Sequence, residues 1–289
     1  MVLHAIYAAN HGAEKIVVRS PDTDVLVLLL HHRADIHAKE VFFLTGRTGK
    51  HANLTRYIPI HTLFTQMPPN QLRIMMAVYC MSGSDTTSAF HGRGKKTAFK
   101  LMVNHANDLQ AMDSIGTGPL SRSQKEACVR FVGLLYGQKD CSSLDELRTK
   151  KAGLATLPKK LPPTEDSLYL HAERCAYQLM VWLNAPNKDS VLPDPTLFGY
   201  YRDDTNTLKP VLMRKSPAAP ELLNDFVCNC KEFQCNMNTC NCATNEQPCT
   251  SACNCEARIP QIGDSASDTH CTNQLTLDAL YNDTDSDSD

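Results

Sequence analysis

Apolar and polar positions in the first hundred residues switch between helical and strand-like spacing. The pattern predicts, in chain order, a helix over residues 3–12 that ends at Gly12, a strand over Lys15–Arg19, a helix over Asp24–His32, a strand over Val41–Leu44 and a helix over Pro69–Met81. Ser20 is the expected N-cap of the second helix, with Pro21 at its first position. A strand, helix, strand order predicts an α/β fold with parallel strands.

Helical periodicity continues over residues 123–136 and 166–183, whereas residues 184–220 contain six prolines and are predicted to be irregular. These shifts suggest five segments. They are an α/β domain over 1–110, a helical extension over 111–200, a linker over 201–227, a small cysteine-rich module over 228–258 and an acidic, disordered tail over 259–289.

Composition excludes some classes of protein. With 289 residues, of which 42% are hydrophobic, the chain can build a packed core and is not wholly disordered. The longest apolar run, Ile74–Met81, is far shorter than the roughly 20 residues of a membrane span.

No secretory signal precedes the first strand, so we expect an intracellular protein. The net charge of −2 combines a basic body with seven aspartates after residue 258, and this acidic tail could contact a basic protein partner.

Cysteine is the strongest chemical signal. Eight of the thirteen cysteines fall within 28 residues with the spacing C-x-C-x4-C-x4-C-x-C-x6-C-x3-C-x-C; they are Cys228, Cys230, Cys235, Cys240, Cys242, Cys249, Cys253 and Cys255. A reducing compartment favours metal thiolates over disulfides. Four thiolates bind one tetrahedral Zn²⁺, so this set predicts two or three structural zinc ions, which would supply the folding energy of a segment that lacks an apolar core.

This spacing resembles the tesmin-type CXC domain, in which nine cysteines share a three-zinc cluster and which binds DNA in several members. The position of the ninth cysteine is Arg258 here, so Cys271 is the expected substitute if three ions bind. The aromatic residue that DNA-binding members carry before the fourth cysteine is Thr239 here. The segment itself is nearly neutral, which gives weak support to phosphate binding by this module.

Three aspartates form a second candidate site. Asp22 and Asp24 follow a predicted buried strand, where α/β sheets present ligand sites, and Asp85 lies in a loop after a helix. Carboxylates are the ligands of Mg²⁺ and Mn²⁺, and a two-metal site can hydrolyse phosphodiesters. The alternative is that Asp22 and Asp24 stabilise a helix N-terminus while Asp85 forms a turn.

The order of these parts resembles the flap-endonuclease and XPG family of structure-specific nucleases, which have a PIN-like fold. The resemblance covers about residues 3–105 and assigns Asp22, Asp24 and Asp85 to catalytic metal binding. A basic helical hairpin follows, in which glycine backbone and cations would hold nucleic-acid phosphates; its residues are Gly92, Arg93, Gly94, Lys95, Lys96 and Lys100. A glycine-capped, solvated helix is the alternative.

The family uses further carboxylates upstream of its strand, whereas Glu14 is the only acidic residue before Asp22 here. The sequence therefore predicts a nuclear, transposon-associated protein that contains zinc and has an incomplete or inactive nuclease-like domain. Its expected partner is DNA, with RNA as the alternative, and not a membrane. An active metal-dependent nuclease using Mg²⁺ or Mn²⁺ and a protein-interaction scaffold are the alternatives.

Overall fold

The computed structural model describes residues 1–46, 55–152, 158–215, 228–230, 235–236 and 238–249, together with Cys253, Cys255, Asn273 and Leu275. The chain divides into two compact units, Met1–Arg214 and Lys215–Asp289. The first unit is a mixed α/β structure with a small sheet, and the second contains the clustered cysteines.

The first unit contains a three-stranded sheet. Its strands are β1 (Lys15–Arg19), β2 (Glu40–Gly46) and β3 (Thr55–Pro59), with β2 in the middle. β1 pairs with β2 in parallel, so the predicted parallel arrangement is confirmed for these two strands. β3 pairs with β2 antiparallel, an arrangement that the hydrophobic pattern does not predict.

Helices make up most of the remainder of this unit. They are α1 (Val2–Asn10), α2 (Thr23–His31), α3 (Ile60–Gln66), α4 (Pro69–Met81), α5 (Lys95–His105), α6 (Arg122–Leu135), α7 (Leu144–Ala152) and α8 (Glu165–Leu183). Single 3-10 turns cover His32–Asp35, Gln110–Ser114, Pro158–Lys160 and Pro195–Phe198. The bounds of β1 and α4 agree with those predicted from the sequence.

The second half of helix α4 is deeply buried in the first unit. From Ile74 to Met81 every side chain except Tyr79 is buried. One continuous hydrophobic cluster joins sheet residues such as Phe43 to helical residues such as Phe131. The segments 1–110 and 111–200 therefore share a core, and the long apolar run on α4 is explained by that core.

The start of α2 differs from the prediction. Asp22, rather than Ser20, is the N-cap, and its carboxylate accepts a hydrogen bond from the Asp24 N–H at 2.8 Å. The Ser20 hydroxyl accepts the Asp22 N–H at 3.1 Å, but Ser20 lies two residues before the N-cap position. A carboxylate at this position also interacts favourably with the helix dipole, which explains the preference.

Part of the proline-rich stretch is ordered, and the prediction of irregular structure is wrong there. Strands β4 (Tyr200–Arg202) and β5 (Leu208–Pro210) form an antiparallel hairpin. The buried guanidinium of Arg174 on α8 donates to the carbonyls of Gly199 and Val211 at 3.2 and 2.7 Å. Because these contacts come from a distant helix, the local sequence gives no sign of them.

The second unit has one short described helix, α9 (Asn241–Thr244), among its cysteines. Across the described parts of both units, none of the helices has the length and apolar character needed to cross a membrane.

Candidate metal centre and nucleic-acid interface

The eight cysteines predicted to bind zinc converge in the second unit. We call them the cysteine cluster; its members are Cys228, Cys230, Cys235, Cys240, Cys242, Cys249, Cys253 and Cys255. All are buried except Cys230, which is partly exposed. Among the described residues of this unit, the buried apolar cluster consists of Ala243 and these cysteines, with Cys230 packed against it, so bound metal would supply stability that apolar packing does not.

Sulfur separations in the cluster suit tetrahedral zinc. The Sγ–Sγ distances are 3.8 Å for Cys228–Cys235, 3.9 Å for Cys228–Cys249 and 3.6 Å for Cys242–Cys253. Four thiolates at about 2.3 Å from one ion lie roughly 3.8 Å apart. The same distances are far longer than the roughly 2.05 Å of a disulfide bond. The sulfurs are therefore placed as zinc ligands and not as disulfides.

The cluster contains three overlapping groups of four sulfurs, each group within 4.8 Å. They are Cys228, Cys230, Cys235 and Cys240; Cys228, Cys249, Cys253 and Cys255; and Cys228, Cys240, Cys242 and Cys249. Cys228 belongs to all three groups, and Cys240 and Cys249 each belong to two. Two ions bound in any two of these groups must therefore share the Cys228 sulfur as a bridge.

Local turns place the sulfurs. The Asn236 side chain accepts the N–H groups of Asn238 and Thr239 at 2.9 and 3.1 Å, which turns the chain before Cys240. The Cys240 sulfur then caps α9 by accepting the Ala243 N–H at 3.5 Å. Short polar turns thus fix the local positions of the cysteines along the chain. Arg258 and Cys271, the two residues weighed as the ninth position, lie outside the described residues.

The surroundings of Cys228 favour its thiolate form before metal binds. Burial opposes its ionisation, but hydrogen bonds from the Cys230 N–H and from the thiols of neighbouring cysteines lower its pKa to about 6. Burial raises the pKa of Cys230 to about 11. The sulfur common to all three groups is therefore favoured as an anion, in contrast to that of Cys230.

The three aspartates lie near one another in the first unit but do not form a compact ligand group. Asp22 is engaged as the N-cap of α2, and Asp24 accepts a hydrogen bond from the Tyr79 hydroxyl at 2.7 Å. Within the described ranges, every group of three or more ligand atoms within 4.8 Å consists of cysteines. The catalytic assignment of Asp22, Asp24 and Asp85 stays a prediction.

A lysine, Lys95, lies close enough to Asp22, Asp24 and Asp85 to interact with them electrostatically; these three aspartates are called the acidic region below. The Lys95 ammonium lies 3.6 Å from the centre of the Tyr79 ring and donates hydrogen bonds to the carbonyls of Gly83 and Tyr79. Burial lowers the pKa of Lys95, and the nearby carboxylates of Asp24, Asp85 and Asp22 oppose that shift. An internal cation thus interacts with the carboxylates that were expected to attract a divalent metal.

Arg93 also makes contacts within the protein. Its Nε donates to the Leu135 carbonyl at 2.8 Å, and its guanidinium lies 3.7 Å from the centre of the Tyr136 ring. Gly92 adopts a positive φ of 68°, and Gly94 is the extended N-cap of α5. The glycines form the predicted turn, while Arg93 joins this turn to the end of α6.

The remaining two candidate cations, Lys96 and Lys100, are exposed on α5. They share a helix face with Phe99 and Val103, each 42% exposed. Helix α5 contains no acidic residue, and neither lysine takes part in an ion pair among the described residues. This face, called the α5 basic face below, is available to an anionic partner.

Sequence reasoning did not single out Tyr79, which contacts both Asp24 and Lys95. Its position on an apolar helix gave no local signal, because the partners are 55 and 16 residues away.

No family model, no curated protein and no solved structure matches this chain. The likenesses to the CXC domain and to flap nucleases therefore rest on the residues that carry them.

Proposed function

We propose that this chain is a zinc-containing nucleic-acid-binding protein whose nuclease-like domain is incomplete or inactive. The zinc part is supported by the overlapping groups of sulfurs in the cysteine cluster. Their spacing, and the sharing of Cys228, suit a CXC-type cluster of two or three ions.

The α5 basic face is the observation that carries the nucleic-acid part. Lys96 and Lys100 lie one turn apart, exposed, and at the end of a glycine turn. Phosphate oxygens accept hydrogen bonds from ammonium groups and from the N–H groups of a helix N-terminus. Contacts of this kind hold the backbone of DNA or RNA without reading the base sequence. The nuclear location, which is inferred from the family likenesses, belongs to the same proposal.

Removal of both exposed lysines is expected to weaken DNA binding. We expect the double variant Lys96→Ala, Lys100→Ala to reduce the slope of log affinity against log salt by about 2, because each lysine releases about one counterion. Fluorescence anisotropy of a labelled duplex with the full chain, between low and physiological salt, measures this slope.

The matched control removes two lysines from the last turn of α7, Lys150→Ala and Lys151→Ala. Both double variants lose two positive charges, so an effect of net charge alone would be equal in the two. An equal slope for the control and the α5 variant would contradict a contact at the α5 basic face.

Metal-dependent cleavage is expected to be absent. Asp22 is engaged as the N-cap of α2 and Asp24 accepts the Tyr79 hydroxyl at 2.7 Å, so two of the three candidate carboxylates are already hydrogen-bonded within the protein. Incubation of the full chain with flapped and blunt duplexes in Mn²⁺ should give binding without product. Cleavage that disappears in the double variant Asp22→Ala, Asp85→Ala would establish the nuclease alternative instead.

A further inference from the structure

Asn273 lies far along the chain from the cysteine cluster but is in direct contact with it. It is 3% exposed, and its side-chain amide donates to the Cys249 sulfur at 3.3 Å and to the Gln247 carbonyl at 2.8 Å. Composition had placed residues 259–289 in an acidic, disordered tail. A buried amide at position 273 is therefore unexpected.

The orientation of this amide is defined by its own contacts. The Asn273 carbonyl oxygen accepts the Leu275 N–H at 3.2 Å, which leaves the two N–H groups to face Gln247 and Cys249. Because an amide nitrogen carries two donors, both contacts can form at once. The amide thus joins Asn273 to the loop after α9, through one carbonyl and one sulfur of that loop.

The position of the Cys249 sulfur affects more than one of the candidate zinc sites. It belongs to two of the three groups of four, and it lies 3.9 Å from Cys228 and 3.8 Å from Cys240. A sulfur that bridges two ions must be oriented toward both. Donors that contact metal ligands from outside the coordination sphere orient them and partly neutralise their charge.

We propose that Asn273 is a positioning residue of the metal centre, whose amide holds the Cys249 sulfur in place and ties the chain around Asn273 to the zinc module. The inference rests on the zinc-binding part of the proposed function. It adds to the module a residue that lies beyond the cysteine motif.

The test compares Asn273→Asp with Asn245→Asp in the full, zinc-loaded chain. Aspartate has the shape of asparagine but no N–H donor. Asn245 is exposed, and its amide donates to the Asn241 carbonyl at 2.9 Å, so it receives the same chemical change at an exposed position. Transfer of zinc to an excess of a chromogenic chelator is followed at constant pH.

We expect Asn273→Asp to release zinc about tenfold faster than the unchanged chain, and Asn245→Asp to stay within about twofold. Asn273→Gln, which keeps an amide, should lie between them. In Co²⁺-loaded protein, Asn273→Asp should also shift the sulfur-to-cobalt charge-transfer band to longer wavelength, because a sulfur without its donor is more easily oxidised. A purely structural role would not move that band.

Equal release rates for Asn273→Asp and Asn245→Asp, in a chain that does hold zinc, would overturn the inference alone. Loss of zinc from Asn273→Asp and Asn273→Gln together would also overturn it, since the residue would then matter for packing and not as a donor. A full chain that holds no zinc would instead overturn the proposed function.

Discussion

Replacing Cys228 by serine is expected to remove all zinc from the chain, whereas replacing Cys230 is expected to remove at most one ion. Cys228 is a member of every group of four sulfurs, and Cys230 is a member of one. Serine is a poor zinc ligand at neutral pH because its hydroxyl stays protonated. The two residues belong to the same C-x-C step, which makes them a matched pair.

Native mass spectrometry of the full chain, prepared with zinc, measures this difference. The unchanged chain should carry two or three ions, Cys230→Ser one fewer or the same number, and Cys228→Ser none. Similar ion counts in the two variants would show that the groups do not share Cys228. An unchanged chain without metal would contradict zinc binding altogether.

Chelation of zinc is expected to unfold the second unit and to leave the first unit folded. Structural zinc supplies about 10–16 kcal/mol of apparent binding free energy at neutral pH, and in the part of the second unit that the structure describes, the buried apolar cluster contains little besides cysteine. The first unit has its own continuous hydrophobic cluster. The two units should therefore respond independently to the loss of metal.

Hydrogen exchange detects this response residue by residue. The N–H groups of Thr244 and Gln247, which donate to the carbonyls of Cys240 and Cys242, should lose their protection when EDTA is added. Amides of α4 should stay protected, and the fluorescence of Trp182, the only tryptophan, should be unchanged because it lies in the first unit. Protection that persists at Thr244 and Gln247 after complete removal of zinc would refute the role of the metal.

Acid should have the same effect as the chelator, because thiolates must be deprotonated to bind zinc. In the folded second unit, burial opposes the ionisation of Cys228, but hydrogen bonds from the Cys230 N–H and neighbouring thiols lower its pKa to about 6, so its thiolate contributes stability that is complete above the ordinary pKa of a thiol and is lost as the pH falls through about 6. Zinc binding moves this loss to lower pH. Restoring neutral pH with zinc present should restore hydrogen-exchange protection.

The elements that could be predicted from sequence are those with strong local signals. β1 combines β-branched residues with a following proline, and α4 combines helical periodicity with an N-terminal proline and the glycine at position 83. The zinc ligands belong to the same class, because their spacing is itself the signal. For these elements, the residues that decide the structure are neighbours in the chain.

The elements that could not be predicted depend on residues that are distant in the chain. Strand β3 has no clear alternation and owes its pairing to β2. The β4–β5 hairpin is held by Arg174, which lies on helix α8, an element that precedes the hairpin in the chain. The basic residues at the start of α5 could be identified from the sequence, but the sequence could not show which of them are exposed. Only the packed structure places Lys95 against Tyr79 and leaves Lys96 exposed.

The amino-acid sequence alone determined that this chain has a compact core, an α/β beginning and a sulfur-rich segment suited to zinc, because composition, periodicity and spacing are properties of neighbouring residues. Tertiary structure alone decided that Cys228 is common to all three sulfur groups, that Lys95 faces the acidic region and that Asn273 contacts Cys249. These relations join side chains across distant parts of the chain, and they exist only once packing and turns have brought those parts together.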